Sequence, residues 1–318
     1  MGVSAGRAAW AIEWFDRTIK ARSVDTTELR EALGRLVFVY GALVYDKPFL
    51  GPLFTFFGLH GPGKKRQLPL YVLIVMKWLR DKLKERRTYR VQSRRTIKKS
   101  VLRVDAKAEG LVVAVGGWSP FYDEDGAIVK DKSKWFSVRL TEADAPWAFV
   151  KGKPSRAIST LELLATTVGL VLLAPVALAR PGVAGSVTVT GFTDSLVSAS
   201  VVTRGLTTAF PLCAVAMELA AQLEARNAEL LLEWVPREQN AEADMLADGR
   251  SAGFSEHYRV QASLKQIRWL VLDRLLEAGA AFHREAERFK QRVPGGTVKR
   301  RGRLGLGGAK RLKDREPW

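Results

Sequence analysis

Apolar residues recur at helical spacing through the first hundred positions of the chain. Within residues 8–22, Trp10, Trp14 and Ile19 fall along one side of a single amphipathic helix. Asp25-Thr26-Thr27-Glu28 is a helix-start signal with an acidic first turn. The helix it opens carries Leu29, Leu33, Leu36, Val37 and Tyr40 at helical spacing. Lys47-Pro48 begins a shorter helix through Phe49, Leu53 and Phe57, and Gly61-Pro62-Gly63-Lys64-Lys65 reads as a loop. Pro69 suits the first turn of a further helix running to about Arg86, with Leu73, Met76, Trp78 and Leu79 on its apolar side.

From Ser100 the periodicity changes. Residues 101–105, 110–115 and 135–140 read as three consecutive strands, an antiparallel meander, with Asp123-Glu-Asp-Gly126 as a turn. A long apolar helix follows near 159–173, then a strand at 186–192, a helix after Asp194 and a helix near 211–226. A strand at 229–235, ended by Pro236, and a short helix after Asn240 close the series. A meander followed by β-α-β units predicts an α/β fold, a mixed sheet with helices on both faces behind an α-helical segment. After Gly253, Leu264, Ile267, Val271 and Leu275 predict one more helix. The remainder is charged and glycine-rich, a composition that argues for disorder. Three regions result: a helical segment with a basic linker (1–99), the mixed-sheet domain (100–253), and a C-terminal helix with a basic tail (254–318).

The run 163–179 is almost free of charge, but a membrane-spanning helix needs about 20 apolar residues. This run is shorter, is interrupted by Thr166, Thr167, Gly169 and Pro175, and is closed by Arg180-Pro181-Gly182. The expectation is a buried core helix and no membrane partner.

Charge narrows the function. A net charge of +18 at pH 7 favours a polyanion as partner over small neutral ligands, with a generally basic surface as the alternative. The cations are clustered. Residues 82–99 include Arg86, Arg87, Arg94, Arg95, Lys98 and Lys99, and the tail includes Arg300 and Arg301. These segments read either as solvated linkers or as arms that grip phosphates without sequence preference. Cys213 is the only cysteine, so one chain can form neither a disulfide nor a cysteine-based metal site. That fits an intracellular compartment, nucleus or cytoplasm. No secretory signal opens the sequence, and Gly6 breaks a myristoylation pattern after Met1-Gly2.

Four acids stand in chemically suggestive places. Asp105 is a strand-centred acid that opens the meander, where burial is costly unless the group binds a cation or pairs. It can also be read as solvent-facing, since Lys107 and Glu109 share its side. Glu162 falls in the first turn of the apolar helix, where it also forms a Ser159-x-x-Glu162 capping box. Asp194 ends a strand at a helix start, either as an N-cap or as a ligand at the carboxyl end of a central strand. Asp244 sits one turn inside the helix that Asn240 caps, with a solvated helix residue as the alternative.

Trp234-Val-Pro-Arg-Glu-Gln-Asn-Ala-Glu-Ala-Asp244 and Ile158-Ser-Thr-Leu-Glu-Leu-Leu-Ala165 resemble the ribonuclease H region of retroelement polymerases, most of all the DIRS-like elements. The similarity covers residues 101–253. The earlier helical block, through Glu28-Leu-Arg-Glu-Ala-Leu-Gly-Arg-Leu36 and Lys47-Pro-Phe-Leu50, is similar to the connection segment of such reverse transcriptase polyproteins. The aromatic-x-Asp-Asp motif of the polymerase palm is absent. The resemblance implies a ribonuclease H-like five-stranded sheet and an endonuclease that hydrolyses the RNA strand of RNA–DNA hybrids. It implies Asp105, Glu162, Asp194 and Asp244 as catalytic ligands of two Mg²⁺ or Mn²⁺ ions, with Asp105 shared, Glu162 and Asp194 on one side and Asp244 on the other. Implied partners are RNA–DNA hybrid or other nucleic acid, and a separate polymerase palm or other retroelement proteins. Cellular ribonucleases H often carry a histidine in the loop after the last strand. Here that loop is Pro236-Arg-Glu-Gln239, while His60, His257 and His283 lie elsewhere, so no histidine-assisted product release is expected. The alternative is a nucleic-acid-binding module that keeps the fold without the reaction.

Overall fold

A computed structural model describes residues 3–61, 63–85, 95–174 and 185–292. Its organising element is the long strand β3 (Arg95–Glu109). On one side β3 pairs antiparallel with β4 (Val112–Ser119), which pairs antiparallel with β5 (Lys134–Leu140). On the other side β6 (Gly185–Thr193) and then β7 (Ala228–Trp234) join in parallel, giving the order β5-β4-β3-β6-β7. This is the expected α/β fold, a mixed five-stranded sheet. The parallel pairs need crossovers. Helix α5 (Ile158–Leu173) precedes β6, while α6 (Leu196–Arg204) and α7 (Leu212–Ala225) link β6 to β7.

Strand alternation divides the side chains. Leu102 and Val104 face α5 so closely that a Cβ at Gly169 would lie 2.9 Å from each. On the opposite face lies α8 (Ala241–Ala247), where a Cβ at Gly116 would lie 2.4 Å from the Ala247 amide nitrogen. Asp105 is paired with Gly116 and shares that second face. A small core of Trp118, Trp135, Ala243, Leu246 and Phe254 glues α8 to β4 and β5.

The helical segment shares the larger core with α5 and α7. It comprises α1 (Ala5–Ala21), α2 (Thr26–Gly41), α3 (Gly51–His60) and α4 (Leu70–Glu85). Asp25 caps α2 by accepting from the Thr27 and Glu28 amides. Polar contacts pin the segment to the sheet domain. Tyr45 donates to the Ala228 carbonyl at 2.8 Å, Lys82 pairs with Glu224 at 2.9 Å, and Tyr71 meets Cys213 at 3.3 Å. The apolar run expected in the core is there: α5 is packed between sheet and α7, with Leu161, Leu163, Leu164 and Val168 buried, while positions 175–179 lie outside the described residues.

Several expectations are corrected. Arg95, Lys98 and Lys99 belong to β3, not to a linker, because β6 supplies ladder partners such as Lys99↔Thr188 that local composition cannot reveal. Lys65–Gln67 forms a short strand, β2, with β1 (Ser23–Asp25), a pairing across forty residues. Ser159 is not a cap. A 3-10 turn from Pro154 to Ala157 starts the helical path earlier and leaves Ala157 at the cap position, so Ser159 lies inside the first turn. Leu264 sits in an isolated 3-10 turn, and Ile267 follows it. The last helix, α9 (Leu272–Arg292), begins later and extends further than the spacing suggested.

Candidate metal centre

The β3–β6 ladder ends at Arg103↔Phe192. Two residues further along stand Asp105, still within β3, and Asp194, just past the end of β6, where β3 and β6 no longer pair, the usual kind of place for a site in such sheets. Glu162, fifth residue of α5, reaches the same gap. Ligand oxygens of Asp105, Glu162 and Asp194 all lie within 4.8 Å of one another. Asp105 and Glu162 are only 5% and 7% exposed.

This cluster is electrostatically unfavourable as it stands. Burial, then the Asp194 charge, raise the Asp105 carboxyl to about 8, with Asp244 adding to the effect. Burial, followed by the charges of Asp105 and Asp194, raises Glu162 to about 10, against the opposing pull of Arg237 and the Ala106 amide. Glu162 Oε2 and Asp194 Oδ1 are buried without a hydrogen-bond partner. Buried acceptors normally find donors, and like charges normally avoid sharing a site. Both anomalies fit a bound cation. An all-oxygen set suits Mg²⁺ or Mn²⁺ and disfavours zinc.

Asp244 stands apart from the three. It pairs with Arg237, which opens the 3-10 turn Arg237–Asn240 between β7 and α8. Asp244 is near enough, however, to raise Asp105. Asn240 occupies the cap position of α8 as expected, but its side chain does not cap. Its Nδ2 donates to the Val104 carbonyl at 2.9 Å, tying the start of α8 to the strand that carries Asp105, while its buried Oδ1 has no partner.

Cations on β3 and beside α8 are each held by a partner. Arg103 donates to the Gln239 carbonyl at 2.6 Å and stacks over Phe192, Lys130 pairs with Glu242 at 2.6 Å, and Lys107 pairs with Asp248 at 2.6 Å. Arg103 and Arg237 were not singled out in the sequence. Alternation places Arg103 on the Asp105 side, and that signal was readable. Of the basic residues expected to grip phosphate, Arg86, Arg87, Arg94, Arg300 and Arg301 lie outside the described residues.

No protein-family model and no curated protein matches the sequence. Solved structures similar to this chain are ribonucleases H. Ribonuclease H1 of the halophilic archaeon Halobacterium salinarum is 20% identical, over 47% of this chain and 95% of its own, with a TM-score of 0.27. The N-terminal ribonuclease H domain of a Mycobacterium tuberculosis protein, solved as a fusion with maltose-binding protein, is 18% identical over 48% and 92%, with a TM-score of 0.29. LC11 ribonuclease H1, from a compost metagenome and solved with an RNA/DNA hybrid, is 18% identical over 48% and 96%, with a TM-score of 0.31.

Proposed function

We propose that this chain is an endonuclease that hydrolyses the RNA strand of RNA–DNA hybrids, derived from a retroelement polymerase and lacking its palm. The observation that carries the reading is the trio Asp105, Glu162 and Asp194, converging with unpartnered buried oxygens where the β3–β6 ladder stops. Divalent cations there would supply a water nucleophile at neutral pH and charge stabilisation at the phosphodiester. The three carboxylates would hold them, with Asp105 and Glu162 giving up the protons that burial and neighbouring charge now favour. The basic character of the chain supplies attraction for a duplex backbone. RNA would be told from DNA through contacts to 2′-hydroxyls. The retroelement origin rests on the sequence motifs around Glu162 and Asp244, and the natural partner would be a palm carried elsewhere. One observation favours the alternative, a binding module that keeps the fold: Asp244 is engaged by Arg237 rather than by the other acids.

The test is cleavage of a strand-labelled RNA–DNA hybrid in Mg²⁺ and in Mn²⁺. Wild type should cut only the RNA strand. Asp194→Asn should lose about a thousandfold in rate, equivalent to roughly 4 kcal/mol. Tight binding with no cutting by wild type would favour the binding module.

A further inference from the structure

Arg237 has an environment of its own. It lies in the loop between β7 and α8, and its side chain is 71% exposed. Its guanidinium nonetheless points back to pair with Asp244. The charges of Asp105 and Asp194 act on it, and it pulls Glu162 downward. By contrast, Arg103 acts on Glu242 and is held by the Gln239 carbonyl. Arg237 is therefore a cation within electrostatic reach of the trio whose partner is itself one of the four expected acids.

We propose, resting on the reading of the cleft as a phosphodiester-cleaving site, that Arg237 is a two-position residue: paired with Asp244 in the free protein, and paired with a substrate phosphate in the complex. A guanidinium fork matches two phosphate oxygens as well as it matches a carboxylate. An exposed ion pair on a long side chain is worth little, so the exchange meets a small barrier. It is also charge-neutral at the arginine, since one phosphodiester charge replaces one carboxylate charge. The consequence falls on Asp244. Released from Arg237, it becomes a free carboxylate on the first turn of α8, already close enough to Asp105 to act on it. Substrate binding thus completes the acid set that the free protein leaves one member short.

The experiment uses the full chain and two measurements that need no turnover. One is affinity for a short RNA–DNA hybrid in EDTA. The other is affinity of the free protein for Mn²⁺ alone, read by electron paramagnetic resonance. Arg237→Gln should weaken the hybrid about fivefold, the loss of one phosphate contact. It should also tighten Mn²⁺, because Asp244 is no longer claimed. Arg237→Lys should restore part of the hybrid affinity. Asp244→Asn should do the reverse of Arg237→Gln, strengthening the hybrid and weakening Mn²⁺. Opposite movements of the two affinities are required by exchange, and the Arg237→Gln, Asp244→Asn double variant separates exchange from a bare charge effect: exchange makes the two changes non-additive, whereas independent charges add. Unchanged affinities in Arg237→Gln, or hybrid binding lowered equally by both variants, would overturn the proposal. Cleavage is scored separately. A protein that shows the opposite movements but never cuts RNA would refute the endonuclease reading and leave the exchange standing.

Discussion

Two of the places where the described residues bury acids are built in opposite ways. Glu218, on α7, is fully buried, and every demand of its carboxylate is met. It accepts from the amides of Leu270 at 3.0 Å, Val271 at 2.8 Å and Leu272 at 2.9 Å, and from Gln222 Nε2 at 2.6 Å. Those amides stand at the start of α9, whose first N–H groups have no partner within the helix and whose dipole favours a negative charge there. Glu218 thus fastens α9 to α7. In the trio at the β3–β6 gap Asp105 and Glu162 are also buried and Asp194 is half-buried, but two of its oxygens are orphaned and its members repel one another. Burial of a carboxylate is therefore not itself a functional sign. The distinction lies in whether the fold supplies donors. Where it does, the acid is a fastener, and where three acids share a gap with two oxygens left without donors, the arrangement is compatible with a divalent cation.

Replacing the two kinds of acid separates them most sharply. Glu218→Ala leaves three amides unsatisfied in an apolar setting and should cost about 3 kcal/mol by chemical denaturation, the same with or without Mg²⁺. Glu162→Gln should leave the metal-free protein within about 1 kcal/mol of wild type at pH 7, because the amide mimics the protonated acid that burial already favours, while hybrid cleavage is lost. Equal destabilisation by both variants would erase the contrast.

The next effect is the pH dependence. The folded-state values of Asp105 and Glu162, about 8 and about 10, lie above those of an unfolded chain. The folded state therefore holds these protons more tightly. The stability they confer is full below the ordinary carboxylate range and is lost as pH rises through about 8 for Asp105 and then about 10 for Glu162. In EDTA the melting temperature should fall by about 4 °C or more from pH 6 to pH 9, and Mg²⁺ should flatten the slope by replacing the protons. A curve unaffected by Mg²⁺ would remove the cation from the picture. The smallest effect belongs to Asn240. Asn240→Ala loses the bond to Val104 and should cost about 1 kcal/mol. It should also weaken Mn²⁺ binding, as α8 and Asp244 loosen against β3, and a loss of stability with no change in Mn²⁺ affinity would reduce Asn240 to a packing role.

Much of this could be read from the chain because it is local. The alternation of Val187 and Val189 with threonines marked β6, the charge-free run marked α5 as a core helix, and Asp25 marked the start of α2. The ordered acids Asp105, Glu162 and Asp194 were legible because each lies in or beside an element whose signals are short-range: Asp105 within β3, Glu162 near the start of α5, and Asp194 just after β6. Ser159 misled for the same reason. A good local capping pattern was overridden by the turn that Pro154 starts five residues earlier. The basic run before Ser100 misled because a strand was stabilised there by β6, nearly ninety positions away.

The sequence by itself determined the kinds of element, their order and the four candidate carboxylates, since helix and strand periods and end signals are written within a few residues. Only the tertiary structure decided that the β3–β6 ladder stops two residues short of Asp105 and Asp194, that Asn240 reaches across to Val104, that Arg237 holds Asp244, and that Glu218 meets the start of α9. Each of these depends on groups far apart in the chain, and whether a buried charge finds donors or a neighbouring like charge is fixed by three-dimensional distance.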